Sequence, residues 1–379
     1  MNKQSEGEKM NNKYDIAAYV WPAFSGNDKR TKLFWPLGIG EWQSVMNSDK
    51  KENGYHWQRK PAWGYVNEAD PCVMEMEIEA AVSHGVNVFI YDWYWYDDRP
   101  FLENCLNDGF LKAKNNQKMK FYIMWANHDA TTVWDKRNSG NEQRVWSGRV
   151  CEASFKVIAD RIINNYFIQP NYYCIDGKPV FMIYDIANFI NGLGGMEKAK
   201  TALSRFREKV AESGFPGLHL QLAAWGEQTF NFSGVDGGDR ILTNEIVREL
   251  GFDSITNYQF AHLTNIDREY TDVLKDVEKE WERIDKTYSV PYFPHVSVGW
   301  DNNPRFEGFR SGIMKNNTPE NFEKALRMAK DYLDKNDCRT RLITVNSWNE
   351  WTESSYLQPD NVYEYGYLEA VKRVFMNIT

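Results

Sequence analysis

Two glutamates, Glu350 and Glu353, stand three residues apart in the stretch NSWNEWTESSYLQPD. Trp348 and Trp351 flank the first, and the apolar run Leu342-Ile343-Thr344-Val345 leads into it. Two carboxyl groups held close together are the basic apparatus of glycoside hydrolysis, one as proton donor and the other as base or nucleophile. Neighbouring indoles would strip water from one carboxyl and raise its pKa toward an acid role. If the chain turns helical here, positions i and i+3 share a face with Cβ atoms about 5–6 Å apart. That spacing leans toward the separation of about 5–5.5 Å used for retention, against roughly 6.5–9.5 Å for inversion. The alternative is a solvated helix face, against which the two tryptophans and the Pro359-Asp360 stop argue.

Such a pair needs a scaffold. Eight apolar, β-branched and aromatic runs recur, at 15–20, 86–91, 121–125, 179–184, 219–224, 254–258, 292–298 and 342–346. Helical periodicity fills most gaps, near 72–84, 150–167, 198–212, 267–287, 319–333 and 363–376. In the first of these, Val73, Met76, Ala80 and Ala81 face inward, and Gly85 and Gly214 read as helix C-caps. Eight strands alternating with helices predict an α/β (β/α)8 TIM barrel over residues 14–379, behind a disordered polar N-terminus at 1–13. The competing architecture is a doubly wound sheet with a second domain. No linker or Gly-rich phosphate loop supports it, and the GLGG at 192–195 lacks the strand-to-helix frame of a dinucleotide fingerprint. A long aromatic-rich insertion after strand 1, roughly 22–70, is expected to fold over the barrel mouth.

In a barrel the chemistry lies at the C-terminal strand ends. Those positions hold polar and aromatic residues in turn, including His128, Asp129, Asp185, Trp225 and Glu227. The residues expected to bind substrate are Tyr19, Trp21, Asp92, Trp93, Tyr94, Trp125, Asn127, Tyr258, Asp301, Arg305, Trp348, Asn349 and Trp351. Asn349 and Asp301 would hold hydroxyls, and the indoles would stack on sugar C–H faces. Plainer roles stand beside these: Asp92 and Asp185 as helix caps, His128 as a loop bridge, Asp301 and Arg305 as a structural ion pair.

Composition narrows the partners. The chain has 379 residues, 15 of them Trp, and aromatics make up 15%. Many cluster with polar residues, as in FWPLGIGEW, GYHWQRKPAWGY and YDWYWYDD, which suits an oligo- or polysaccharide site better than core alone. A net charge of −8 without a basic tract argues against nucleic acid or an anionic membrane. No run approaches the roughly 18 apolar residues of a membrane span. Five cysteines with no CxxC pair, and histidines without HxxxH or HExxH spacing, predict no disulfide framework, metal or cofactor. The start, MNKQSEGEKMNNK, has no apolar signal core; the protein is cytoplasmic, or periplasmic or secreted if a leader was removed.

WNEWTESSYLQPD resembles the WNEW-x-E…L-x-P-D signature of the glycoside hydrolase family 99-like proteins, which include the WbsX-type group. AAYVWPAF, GVNVFIYDWYW, FYIMWAN and VSVGWDNNPR recur in the same order there, so the resemblance spans nearly the whole chain. It implies a (β/α)8 barrel and the chemistry of retaining endo-α-mannosidases. In that chemistry Glu350 would deprotonate the substrate 2-hydroxyl, which attacks the anomeric carbon, and Glu353 would serve as general acid and base. The chain departs from the pattern at Ser354, where Gly is common, and in its Trp-rich strand 1 loop. Some WbsX-type relatives are called glycosyltransferases, so a transferase remains an alternative, as does a non-catalytic glycan-binding barrel.

Overall fold

The computed structural model describes residues 13–48, 51, 54–226, 229–231, 239–336 and 338–376. The polar segment 1–12 and Glu227 lie outside the described residues. Eight parallel strands form the barrel: β1 (Asp15–Val20), β2 (Val88–Tyr96), β3 (Lys120–Trp125), β4 (Lys178–Ile183), β5 (His219–Ala223), β6 (Ser254–Thr256), β7 (His295–Ser297) and β8 (Leu342–Asn346). Their order is β6-β5-β4-β3-β2-β1-β8-β7. The seam between β6 and β7 closes at a parallel bridge, where Ile255 N–H donates to Pro291 O and Phe293 N–H donates to Ile255 O, each at 2.9 Å. β7 is shorter than the expected run at 292–298 because Pro294 has no N–H to give to the ladder.

The strands are recognisable because both faces of a parallel barrel strand are buried, so each reads as a nearly continuous apolar run. A short helix, α1 (Trp42–Met46), lies in the insertion against the turns at Asn303–Arg305 and Trp351–Glu353, and the others pack outside: α2 (Pro71–Ser83), α3 (Glu152–Ile162), α4 (Ile186–Leu193), α5 (Met196–Glu212), α6 (Asn244–Leu250), α7 (Tyr270–Thr287), α8 (Pro319–Lys335) and α9 (Gly366–Phe375). Gly85 and Gly214 take left-handed φ of +92° and +93° just past α2 and α5, as C-caps do. The inward face of α2 differs from expectation. It buries Met74, Glu77, Ile78 and Ala81 and leaves Met76 exposed, because the Glu77 carboxylate accepts the Trp348 indole N–H at 2.7 Å.

Inside the barrel a polar layer spans between strands. Tyr19 Oη donates to Asn257 O at 2.8 Å, Tyr122 Oη to Gln221 Oε1 at 2.9 Å, and the Thr256 and Thr344 hydroxyls meet at 2.7 Å. The insertion after β1 lies against the segment that follows β8. Ala62 N–H donates to Pro359 O and Asn361 N–H to Lys60 O.

The chain leaves β8 through a cis peptide bond between Asn346 and Ser347 and enters a small hairpin, β9 (Asn349–Glu350) and β10 (Ser355–Tyr356). The i, i+3 spacing considered above supposed a helical turn here. Instead a single 3-10 turn over Trp351–Glu353 is ended by Ser354 at φ +55°. That left-handed backbone is the physical reason a glycine fits the position; here the Ser354 hydroxyl donates to Asp301 O at 3.0 Å.

The hairpin is packed against Gly299 without room to spare. A Cβ on Gly299 would come within 2.1 Å of Asn317 Nδ2 and 2.6 Å of Ser354 O. Gly299→Ala should therefore cost about 1–3 kcal/mol of stability through overpacking, read as a lower denaturant midpoint at unchanged slope.

Candidate active site

A cavity of about 250 Å³ opens at the C-terminal face of the barrel. All eight strands or the loops after them supply its lining. Trp21 follows β1, and Asp92 and Tyr94 come from β2. Met124, Ala126, His128, Val133 and Trp134 come from β3 and its loop; Tyr184, Trp225 and Tyr258 follow β4, β5 and β6. Arg305 comes from the loop after β7, and Glu350 and Glu353 from the hairpin after β8.

Arg305 is the centre of the charged wall. Its Nη1 meets Glu353 Oε1 at 2.6 Å, Nη2 meets Glu350 Oε2 at 3.1 Å and Nε meets Glu41 Oε1 at 3.1 Å. All four residues are buried. Burial opposes the guanidinium charge, but Glu41, Glu353 and Glu350 outweigh it and hold the pKa well above the ordinary value. Glu41 also accepts the Trp21 indole N–H at 2.5 Å, which fixes that ring at the cavity edge.

Three carboxyls on one guanidinium leave an excess of negative charge, and the carboxyls respond. Burial pushes Glu350 well above the usual carboxylate range, with Glu353, Glu41 and Asp92 adding to the rise and Arg305 opposing it. Burial raises Glu353 as well, held back by Arg305. Burial raises Asp92, against the hydrogen bond from Tyr258. Tyr258 Oη lies 2.8 Å from Asp92 Oδ2 and 3.1 Å from Glu350 Oε1. One phenolic hydrogen can serve only one of these contacts. The other is a hydrogen bond only when a carboxyl is protonated, so this trio is built to keep an extra proton. Two buried carboxylate oxygens, Asp92 Oδ1 and Glu353 Oε2, have no hydrogen-bond partner.

The opposite wall is aromatic and uncharged. Trp134 meets Tyr94 edge-on at 5.8 Å, and Tyr184 meets Trp225 at 5.4 Å. Trp225 stacks on His262 at 4.2 Å. Burial lowers the pKa of His128 and drives that of His262 down to about 4, so both rings are neutral near pH 7.

The structure brings together Glu350, Glu353, Trp21, Asp92, Tyr94, Tyr258 and Arg305 at this cavity. The remaining expected residues sit elsewhere, and each departure has a local cause. Side chains alternate along a strand, so with Asp92 and Tyr94 inward Trp93 points outward, where its indole N–H donates to Glu103 Oε1. Trp125 likewise faces the helix layer between Phe155 and Phe189. Tyr19 belongs to the polar layer beneath the cavity. Asn127 ties two loops, accepting from Asp185 N–H and donating to Asp185 O, both at 2.7 Å. Trp348 is anchored on Glu77, and Asn349 on Glu68 and the Trp21 backbone. Trp351 stacks on Tyr356 at 3.8 Å and donates to Gln358. Asp301 faces a neighbouring cavity, with Tyr55 Oη on its Oδ2 and Asn303 on its Oδ1. Asp185 caps α4 through Asn188 N–H. Sequence reasoning missed Glu41 altogether: it lies 264 positions from Arg305, and no local spacing signals that pairing.

Among the described residues no cluster of His, Cys, Asp and Glu could hold a metal ion, and no helix is long and apolar enough to cross a membrane. Cys72, Cys105, Cys151 and Cys174 carry free thiols.

A (β/α)8 barrel with a carboxyl pair at the end of β8 has the architecture of glycoside hydrolases. The solved structures bear this out for the fold. The endo-α-mannosidase of glycoside hydrolase family 99 from Bacteroides thetaiotaomicron matches with a TM-score of 0.56 at 15% identity, covering 94% of this chain and 95% of that one. A glycoside hydrolase-like protein matches at 0.59 and 15%, covering 96% and 94%. The chain itself belongs to the family described as Glycosyltransferase WbsX, whose model matches residues 16–371. Uncharacterized protein WxcX from two strains of Xanthomonas campestris pv. campestris is 24% identical over 376 residues, which cover 94% of this chain. The chain spans about half the length of these curated relatives (49%).

Removing the cation tests the charged wall directly. Arg305→Met should destabilise the protein by about 3–5 kcal/mol, since it strands buried carboxyls without a counter-charge. Glu350 and Glu353 have raised folded pKa values, so their protonated forms favour the fold. Stability from them is full below the unfolded pKa and falls as pH rises through the folded one. The deficit of the variant should accordingly be larger at pH 8 than at pH 5, as measured by urea unfolding.

Proposed function

We propose that the protein is a glycoside hydrolase that cleaves an α-linked glycan with retention, using Glu350 and Glu353. The observation that carries this reading is the pairing of both carboxyls on one buried guanidinium, in a cavity faced by aromatic rings. Two carboxyls fixed to adjacent guanidinium nitrogens remain side by side, which supports the close spacing of a retaining pair. The α-linkage rests on resemblance to the family 99 α-mannosidases.

Glu350 takes the proton of the sugar 2-hydroxyl, and that oxygen attacks the anomeric carbon as the glycosidic bond breaks. A raised pKa makes Glu350 the stronger base once ionised. Glu353 gives its proton to the departing oxygen; its unpartnered Oε2 offers a site for that proton. Water then opens the cyclic intermediate, returning a proton to Glu353 while Glu350 restores the 2-hydroxyl. Trp21, Tyr94 and Tyr258 hold the sugar, and Arg305 positions both carboxyls.

Glu353→Gln and Glu350→Gln should each lower turnover of an α-linked glycan by about 10²–10⁴-fold while leaving glycan binding measurable. Unchanged turnover in either variant would refute the assignment, and binding without turnover in the wild type would leave a glycan-binding barrel. The acid limb of kcat/KM reports ionisation of Glu350 and lies above the ordinary glutamate value of about 4.3. Asp92 helps raise Glu350, so Asp92→Asn should move that limb to lower pH.

The WbsX family description favours a second reading, transfer of a sugar from an activated donor. Product analysis separates the two: a transferase forms a new glycoside only when the donor is supplied and releases no sugar from a free glycan.

A further inference from the structure

A second cavity, of about 210 Å³, lies on the far side of the hairpin. Its wall includes Ser354, the neighbour of Glu353, and Asp301, whose backbone N–H donates to Glu353 O at 2.7 Å. The insertion after β1 supplies Tyr55, Trp57 and Arg59, facing Trp300 and Tyr363. Rings of this kind, interleaved with polar groups, are the chemistry of a sugar subsite.

Two features separate this cavity from packed interior. Trp57 Nε1 is buried without a hydrogen-bond partner. Arg59 makes no close ion pair among the described residues, although Asp360 nearby supports its charge. Its Nη1 donates to Tyr356 Oη and Tyr367 Oη at 3.4 and 3.3 Å, and its Nη2 to Asn317 Oδ1 at 3.1 Å. Both phenols give their own hydrogens elsewhere, Tyr356 to Asp360 and Tyr367 to Asn317 O. Asp360 spends its other oxygen on Val362 and Tyr363 N–H. Three of the five guanidinium N–H groups are thus taken, all by neutral oxygens. Among the described residues the Nε–H and one Nη2–H have no acceptor, and adjacent donors of this kind grip a carboxylate side-on. Asp301, the carboxylate in the lining, is already capped by Tyr55 and Asn303.

We propose that this second cavity is a subsite for an acidic sugar residue, with its ring against Trp57 and Trp300 and its carboxylate on Arg59. The proposal builds on the glycan-active reading above and names the class of glycan: one bearing uronic acid or similarly carboxylated units.

The test is ligand-observed NMR on the full chain with D-glucuronate, D-glucose and acetate as separate probes. Glucuronate should bind, with glucose and acetate each at least tenfold weaker. Arg59→Gln should weaken glucuronate at least tenfold. Trp57→Phe keeps an aromatic face but removes the N–H with the five-membered ring, and should weaken it several-fold at an unchanged melting temperature, which guards against a merely misfolded Arg59 variant. Glucose binding as well as glucuronate would overturn the acidic-sugar assignment, and acetate binding as well would reduce the site to a simple anion hole. No binding of glucuronate, or full binding by a folded Trp57→Phe protein, would overturn the proposal. Glu353→Gln should retain glucuronate binding. A protein that binds glucuronate but hydrolyses no glycan would keep this inference and refute the hydrolase reading.

Discussion

Everything in the active-site region depends on Arg305 being shared by three carboxyls. Glu41 comes from the insertion after β1, Arg305 from the loop after β7, and Glu350 and Glu353 from the hairpin after β8. Burying any of these groups alone would be expensive, and burying all four is tolerable only because each Arg nitrogen has an acidic partner. The arrangement couples the placement of three distant chain segments to one guanidinium. Burial raises the pKa values of Glu350, Glu353 and Asp92, and for the two glutamates Arg305 only partly offsets it.

A second, entirely acidic support lies behind the hairpin. Glu68 accepts Asn349 Nδ2 and Gln358 Nε2, and Glu77 accepts the Trp348 indole. Burial drives the Glu77 carboxyl up to about 7 and Glu68 well above its ordinary value. Indole N–H groups recur as partners of such acids: Trp21 on Glu41, Trp93 on Glu103, Trp348 on Glu77. This gives the tryptophan richness of the chain a second cause. An indole fills core volume and also satisfies a buried carboxylate from its polar edge. Of the tryptophans expected at the sugar site, Trp93, Trp125, Trp348 and Trp351 brace the scaffold, and Trp21 both lines the cavity and donates to Glu41.

That distinction explains what could be read from the sequence. The strands could be read because burial on both faces makes each an apolar run, and β1 and β8 fall where the pattern places them. The strand ends as a group were legible for the same reason. The facing of individual residues required strand parity. Once Asp92 points inward, Tyr94 must follow and Trp93 cannot; once Met124 and Ala126 line the cavity, Trp125 cannot. The hairpin was not legible because its turn depends on one left-handed residue, Ser354, whose side chain does not advertise that backbone. Glu41 and Glu68 are single acids in a long loop, and only the tertiary fold gives them meaning.

The charge balance of the cavity bears on the choice between hydrolysis and transfer. Leaving a nucleotide diphosphate places developing negative charge in the site, which calls for cations free to meet it. Among the described lining residues Arg305 is the lone Arg or Lys, and each of its nitrogens is committed to a carboxylate. His128 and His262 are held neutral by burial. Glu350, Glu353, Asp92 and the phenol of Tyr258 instead surround the space with acceptors and mobile protons. Such a cavity matches the positive charge that spreads over C1 and the ring oxygen of an oxocarbenium-like transition state. In the proposed reaction the same groups would supply the proton that a glycosidic leaving oxygen needs. In the described lining this charge balance argues for the proposed glycoside hydrolysis over transfer from an activated donor.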